Sequence, residues 1–232
     1  MSFKMKEMAN VNIEYLINTL EQKKVSVVTR KKHSYIMYQG IESEYIYVLK
    51  DGVAKISNIL RDGREFNIAY VAEPDFVSLL EEKQNDGISA LFNVRIESPT
   101  ASFYKISRSD FWNWVREDLN LFRVVDDFYK RRLALNLEIL QKMTINGKKG
   151  AVCACLYSLI DDFGIRKKDG ILIDFTVTNE DIAGFCGIST RNSVNRILHD
   201  LKDEKVIGVI DNKIMIYNPQ YLEEYILSLI HI

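Results

Sequence analysis

Residues 178–201 read TNEDIAGFCGISTRNSVNRILHDL. Thr178 can cap a first short helix, and Asp181, three residues on, completes a capping box with it. Ile182, Ala183 and Phe185 supply that helix's apolar face, and Gly187 stands where the chain must turn sharply with positive φ. Ser189 or Thr190 can cap a second helix, in which Val194, Ile197, Leu198 and Leu201 recur at helical spacing as the buried side. The runs VIGVI and KIMIY follow around Asp211-Asn212, a hairpin signal. Two short helices, a tight turn and a hairpin are the order of elements in a winged helix-turn-helix.

The exposed N-terminal half of the second helix then carries Arg191, Asn192, Ser193, Asn195 and Arg196. Arginine pairs with guanine O6 and N7, asparagine with adenine N6 and N7, and serine with either base. No carboxylate lies between Asp181 and Asp200. The net charge is only −1, so any nucleic-acid affinity has to come from charge concentrated locally, and this helix face is where it is concentrated. Double-stranded DNA is the expected partner. Lys148, Lys149, Arg166, Lys167, Lys168, Lys202 and Lys205 are candidates for phosphate contacts.

With 232 residues, two domains and a connector are expected. The composition, 47% hydrophobic and 27% charged, is that of a soluble globular chain able to bury real cores. No apolar run approaches the roughly 18 residues a membrane span needs, and MSFKMKEMAN has no signal-peptide character, so a cytoplasmic protein without a membrane partner is expected. Three cysteines are an odd number for a disulfide framework. Cys153 and Cys155, two apart on a helix, point to divergent faces, and His33, His199 and His231 are scattered, so neither a metal nor a cofactor is expected.

Upstream, residues 11–23 place Ile13, Leu16, Ile17 and Leu20 at helical spacing. From Val25 to Ile106 the chain runs in short β-rich segments. Asp51-Gly52 and Asp62-Gly63 are read as hairpin turns, and seven or eight strands are expected in an antiparallel sandwich or small barrel. A helix starts at Ser107 or Ser109 and runs, with a bend near Asp118–Asn120, to about Met143. It carries two apolar stripes: Leu121, Val125, Phe128, Leu135 and Ile139 on one, Phe122, Tyr129, Leu133, Leu137 and Leu140 on the other. One stripe can pack on the chain's own β-domain and the other on the same helix of a second subunit, although a helix buried wholly within one chain fits the pattern nearly as well. The first stripe is taken as the dimer interface. Asn146-Gly147 ends the helix as a C-terminal cap and is read as a hinge. GIRKKDG is read as a polar loop and ILIDFTV as a strand, and a last helix covers about Pro219 to Leu229. The fold class is thus α+β, with domains at 1–106 (β-barrel sensor), 107–146 (dimerisation helix and hinge) and 147–232 (winged helix-turn-helix).

In its order of elements nearly the whole chain resembles the Crp/Fnr superfamily of bacterial transcription regulators. The matching passages are YVLKDGVAKIS, TINGKKG and TNEDIAGFCGISTRNSVNRIL, and TINGKKGAVCACL looks most like the PrfA-like branch of Gram-positive bacteria. The resemblance implies a cyclic-nucleotide-binding-like jelly roll, and a homodimer that reads an imperfect palindrome through recognition helix 189–202. It implies base contacts by Arg191, Asn192 and Arg196, and phosphate contacts by Ser193 and Thr178. RNA polymerase is a candidate partner, and a small effector is left unidentified. The turn before Arg191 carries one extra residue. Members that bind cyclic nucleotides use a Gly-Glu pair and an Arg-Ser pair, where this chain has Ser78-Leu79 and Ile88-Ser89. Without that arginine a buried phosphate loses its fixed cation, so control by cyclic AMP is not expected. No phosphate loop, metal motif or nucleophile elbow suggests an enzyme. The rival reading is a sensing β-domain whose winged helix binds another protein.

Overall fold

The computed structural model describes residues 3–79, 81–84, 87–145 and 147–227. Its contacts divide the chain into two compact units, one of residues 1–59 and 68–135, the other of residues 60–67 and 136–232. No helix among the described residues is long and apolar enough to cross a membrane.

In the first unit, the spacing of Leu16 and Leu20 is realised on helix α1 (Phe3–Gln22), where both are fully buried. The strands are β1 (Val27–Lys31), β2 (Tyr35–Met37), β3 (Tyr45–Asp51), β4 (Ala54–Ile59), β5 (Glu65–Val71, of which residues 65–67 belong to the second unit), β6 (Glu81–Gln84), β7 (Gly87–Ala90), β8 (Asn93–Ile96) and β9 (Thr100–Ser107). They form a sheet β1-β9-β3, a sheet β2-β8-β4-β5 and a ribbon β6-β7. In the sheet β1-β9-β3, strands β9 and β3 carry buried residues on both faces, while the edge strand β1 is largely exposed. Because successive side chains alternate, Leu49, Ala101 and Phe103 pack with Ala54, Ile56, Val94 and Ile96 of the second sheet. Ile46, Val48, Tyr104 and Ile106 point the other way, onto Leu16, Leu20 and the helices that follow.

Those helices are α2 (Arg108–Glu117) and α3 (Leu119–Ile145), and the expected bend falls between them. Asp118 leaves the helical region (φ −126°, ψ 104°), and its Oδ1 accepts the Asn120 N–H at 2.9 Å, restarting the helix as a cap does. The inner side of α3 supplies Leu121, Val124, Val125 and Phe128 to the core, where Phe128 meets Phe76 edge-to-face at 5.3 Å.

This corrects the dimer assignment. Leu121, Val125 and Phe128 are at most 5% exposed within their own chain and cannot form a subunit surface. Of that stripe only Leu135 is exposed, and the side chain of Ile139 lies outside the described residues. The other stripe is the open one, with Phe122 at 52%, Leu133 at 62% and Leu137 at 52% exposure. Periodicity shows two stripes but not which one the sheet selects. Phe76 and Phe111, distant in sequence, make that choice by filling the space behind Phe128.

Asp62-Gly63 is a hairpin between β4 and β5, with the Leu60 N–H bonded to the Arg64 carbonyl at 2.8 Å. Asp51-Gly52 is not one: β3 pairs with β9 and β4 with β8, so the chain changes sheets there. Gly52 has φ +96°, and a Cβ on it would lie 2.6 Å from the Thr100 carbonyl oxygen. The Asp-Gly signal reported the positive φ correctly and the partner strand wrongly.

The second unit contains α4 (Gly147–Phe163), β10 (Gly164–Lys167), β11 (Gly170–Ile173), α5 (Asn179–Phe185), α6 (Arg191–Asp203), β12 (Ile207–Ile210), β13 (Lys213–Ile216) and α7 (Pro219–Leu227). GIRKKDG is mostly strand, since β10 pairs with β11 from Gly164↔Ile173 to Lys167↔Gly170. β10 is an edge strand with every residue exposed, so it shows no alternation to read. Gly147 has φ +57°, and Asn146 lies outside the described residues.

The close approach at Gly52 yields a stability test. Gly52→Ala is expected to cost about 1–3 kcal/mol through left-handed strain and contact with the Thr100 backbone. Urea unfolding of wild type and variant measures it, and an unchanged midpoint would contradict the reading.

Candidate nucleic-acid interface

Both helices of the motif start as their residues dictate. The Thr178 hydroxyl accepts the Asp181 N–H at 3.0 Å, and Asp181 Oδ2 accepts the Thr178 N–H at 3.2 Å, so the capping box is complete. Gly187 has φ +61° and turns the chain. The second cap is Thr190 and not Ser189: its Oγ1 accepts from the Ser193 N–H at 3.4 Å and bonds the Ser193 hydroxyl at 2.9 Å. Helix α6 therefore begins at Arg191, two residues later than expected.

On α6, Val194, Ile197, Leu198 and Leu201 are all buried, as their spacing requires. Arg191, Asn192, Asn195 and Arg196 are exposed on the remaining arc, Ser193 is half-buried, and Thr178 and Ser189 are exposed. The hairpin follows as expected: β12 and β13 pair antiparallel, and Asp211 (φ 50°) and Asn212 (φ 62°) form a turn with both residues in the left-handed region.

Several of these groups have partners the sequence did not disclose. Arg191 Nη1 lies 3.1 Å from Glu180 Oε1 of α5, and the Asn179 side-chain amide donates to Asn195 Oδ1. The signal was present: Glu180 opens α5 just as Arg191 opens α6, and a helix-turn-helix brings those two helices together.

Lys149 does not point out freely as a phosphate contact. Its Nζ bonds Glu204 Oε1 at 2.9 Å, while the Tyr221 hydroxyl donates to Glu204 Oε2 at 2.7 Å. The Lys149 and Tyr221 hydrogen bonds hold the Glu204 carboxyl below the usual range, and Tyr221 and Glu204 together raise the Lys149 ammonium. This clamp joins the start of α4, the end of α6 and α7. Lys148, Arg166, Lys167, Lys168, Lys202 and Lys205 stand exposed, whereas Lys213 pairs with Asp174 at 2.6 Å.

Gly184, inside α5, also has a reason to lack a side chain. Within the second unit the Asn67 amide donates to the Asp181 carbonyl at 3.0 Å, and a Cβ on Gly184 would lie 2.5 Å from that amide nitrogen.

Where the resemblance calls for a Gly-Glu pair this chain has Ser78, which is 2% exposed and accepts the Tyr47 N–H at 2.5 Å, and Leu79, which is fully buried in the core. Ser89 is buried too, and the side chain of Ile88 lies outside the described residues. Among the described residues no group of His, Cys, Asp or Glu is arranged to hold a metal ion.

Residues 150–225 match the family model of the Crp-like helix-turn-helix domain. Across 94% of its length the chain is 48% identical to the lactate racemization regulatory protein of Lactiplantibacillus plantarum, covering 99% of that protein. Across 93% it is 26% identical to the listeriolysin regulatory protein of Listeria monocytogenes, covering 91% of it. The structure of FixK2 from Bradyrhizobium japonicum superposes with a TM-score of 0.71 at 17% identity, covering 87% of this chain and 96% of that one. The first two relatives are regulatory proteins by name, and the capped helix pair lies within the matched helix-turn-helix domain. With a relative this similar over nearly its full length, the chain belongs to the Crp/Fnr superfamily of DNA-binding transcription regulators.

Proposed function

We propose that the protein is a homodimeric, sequence-specific regulator that reads an imperfect DNA palindrome without cyclic AMP. The observation that carries the reading is α6 itself: one arc is locked into the core, and Arg191, Asn192 and Arg196 stand exposed on the other. Arg191 and Arg196 suit guanines and Asn192 an adenine. Thr178, Ser189, Ser193 and the free lysines position the backbone. One such helix reads one half-site, so a second copy is needed to reach the next major groove, about 34 Å away. The apolar stripe of α3 supports that copy, with Phe122, Tyr129, Leu133 and Leu137 aligned on one helix face. Asn146-Gly147, just beyond α3, is the place where the helix-turn-helix can reorient. Independence from cyclic nucleotide rests on the buried Ser78 and Leu79 standing in place of a Gly-Glu pair, and on Ile88 standing in place of the arginine that would pair a cyclic phosphate. Similarity to the L. plantarum regulator makes genes of lactate racemization the first candidates for control. A small effector and RNA polymerase remain candidate partners, and the cytoplasm is the expected site of action.

Selection of bound sequences from a random DNA pool tests the whole reading. A two-fold symmetric consensus with half-sites one helical turn apart is expected, and an asymmetric or absent consensus would sink it. On the selected site, Arg196→Ala should cost roughly 1–3 kcal/mol and relax preference at one base pair, which titration against single-base variants will show. Glu180→Gln frees Arg191 from its ion pair and removes a carboxylate near the DNA. It should tighten binding by up to about fivefold, the worth of an exposed ion pair. A double change, Phe122→Asp with Leu133→Asp, is expected to shift the protein to monomers in sedimentation while each unit stays folded.

A further inference from the structure

The first turn of α5 holds two side chains of α6. Arg191 and Asn195 are four residues apart, so they share one side of the helix, about 40° from each other at roughly 100° per residue. Both are exposed, away from the buried Val194, Ile197, Leu198 and Leu201. Glu180, the second residue of α5, pairs with Arg191 at 3.1 Å, and Asn179, the first, donates its side-chain amide to Asn195 Oδ1. Asn179 is half-buried, so the bond anchors an outward side chain to an inner one.

A primary amide has two ends of opposite character: the oxygen accepts, and the nitrogen donates two hydrogens. An unconstrained asparagine therefore suits adenine, donating to N7 while accepting from N6. The Asn179 bond removes that choice from Asn195. With Oδ1 turned toward α5, the Asn195 Nδ2 is the group left to face outward. We infer that Asn179 is a positioning residue that makes Asn195 a donor-only contact, so that α6 selects a keto base, guanine or thymine, at one position of each half-site. Guanine offers O6 and N7 as acceptors in the major groove and thymine offers O4. Cytosine offers only its N4 donor, and adenine sets its N6 donor beside N7. The inference rests on α6 lying in the major groove, as proposed above.

A bond that only ties α5 to α6 is felt in stability, whereas a bond that orients an amide is felt in base choice. Asn179→Asp separates the two. The new carboxylate can only accept, so Asn195 has to turn Nδ2 inward and Oδ1 outward, toward adenine N6 or cytosine N4. The first turn of α5 suits the added charge, because a carboxylate is favourable at a helix N-terminus.

Full-length wild type, Asn195→Ala, Asn179→Ala and Asn179→Asp are each used to select bound sequences from a random DNA pool, with thermal melting to show that every variant folds. Wild type is expected to favour guanine or thymine by about fivefold, the worth of one net hydrogen bond, at the position where Asn195→Ala loses its preference. At that position Asn179→Asp should favour adenine or cytosine and Asn179→Ala should lose the keto preference, with the rest of the consensus unchanged. The same base preference in wild type and Asn179→Asp overturns the inference while leaving the groove contact of α6 intact. So does adenine or cytosine at the Asn195 position in wild type, or an Asn195→Ala consensus that matches wild type throughout. A wild-type pool without a two-fold consensus removes the proposed DNA reading, and this inference with it.

Discussion

Burial of Val194, Ile197, Leu198 and Leu201 on one side of α6 is the constraint on which the rest of the helix-turn-helix depends. Each such side chain is worth about 1.5–3 kcal/mol when removed from water, so the four together fix the helix's rotation against any surface interaction. Once the rotation is fixed, the outward positions are Arg191, Asn192, Asn195 and Arg196, with no freedom to exchange roles with the buried set. The caps at Thr178 and Thr190 fix where each helix begins, hence which residues stand in its first turn. Packing chooses the face and capping chooses the register.

Charge acts within that frame. The chain is nearly neutral, and several of its cations are already committed: Lys149 to Glu204, Lys213 to Asp174, Arg191 to Glu180. A count of basic residues therefore overstates what DNA can use. These pairs differ in kind. Arg191 and Glu180 are both largely exposed, and a phosphate or base can displace the carboxylate at small cost. Lys149 and Glu204 are tied further to Tyr221, which makes them part of the scaffold. The Glu204 carboxyl is depressed in the folded state, so its contribution is present above its unfolded pKa and lost as the pH falls through the lower folded value. The clamp thus persists across neutral pH and loosens only in acid.

Local chemistry was legible in the sequence, whereas the choice of partner was not. The capping box at Thr178, the positive φ at Gly187, the Asp211-Asn212 turn and the buried stripe of α6 are decided by neighbours a few residues away. Each appears in the structure much as its residues imply. Asp51-Gly52 failed differently: the dipeptide specifies a backbone conformation, but Thr100 and Ala101, half a domain away in sequence, decide what it packs against. Strand β10 was missed because an exposed edge strand carries no burial alternation. Glu180 stands in the first turn of α5, and only the placement of α5 beside α6 makes it a partner of Arg191.

The two stripes of α3 show why the long-range choice, once made, is not reversible. Leu121, Val124, Val125 and Phe128 close the core against Phe76, Phe111 and the face of β3 and β9 that carries Val48 and Tyr104. Rotating α3 by the roughly 110° between stripes would expose all four, at about 6–12 kcal/mol by area. That is comparable to the whole stability of a typical domain. The outer stripe with Phe122 and Leu133 is consequently held in one orientation on the first unit. Any switching must then use backbone outside that packed stretch, and past α3 the chain meets Gly147, already in the left-handed region where glycine alone is unstrained.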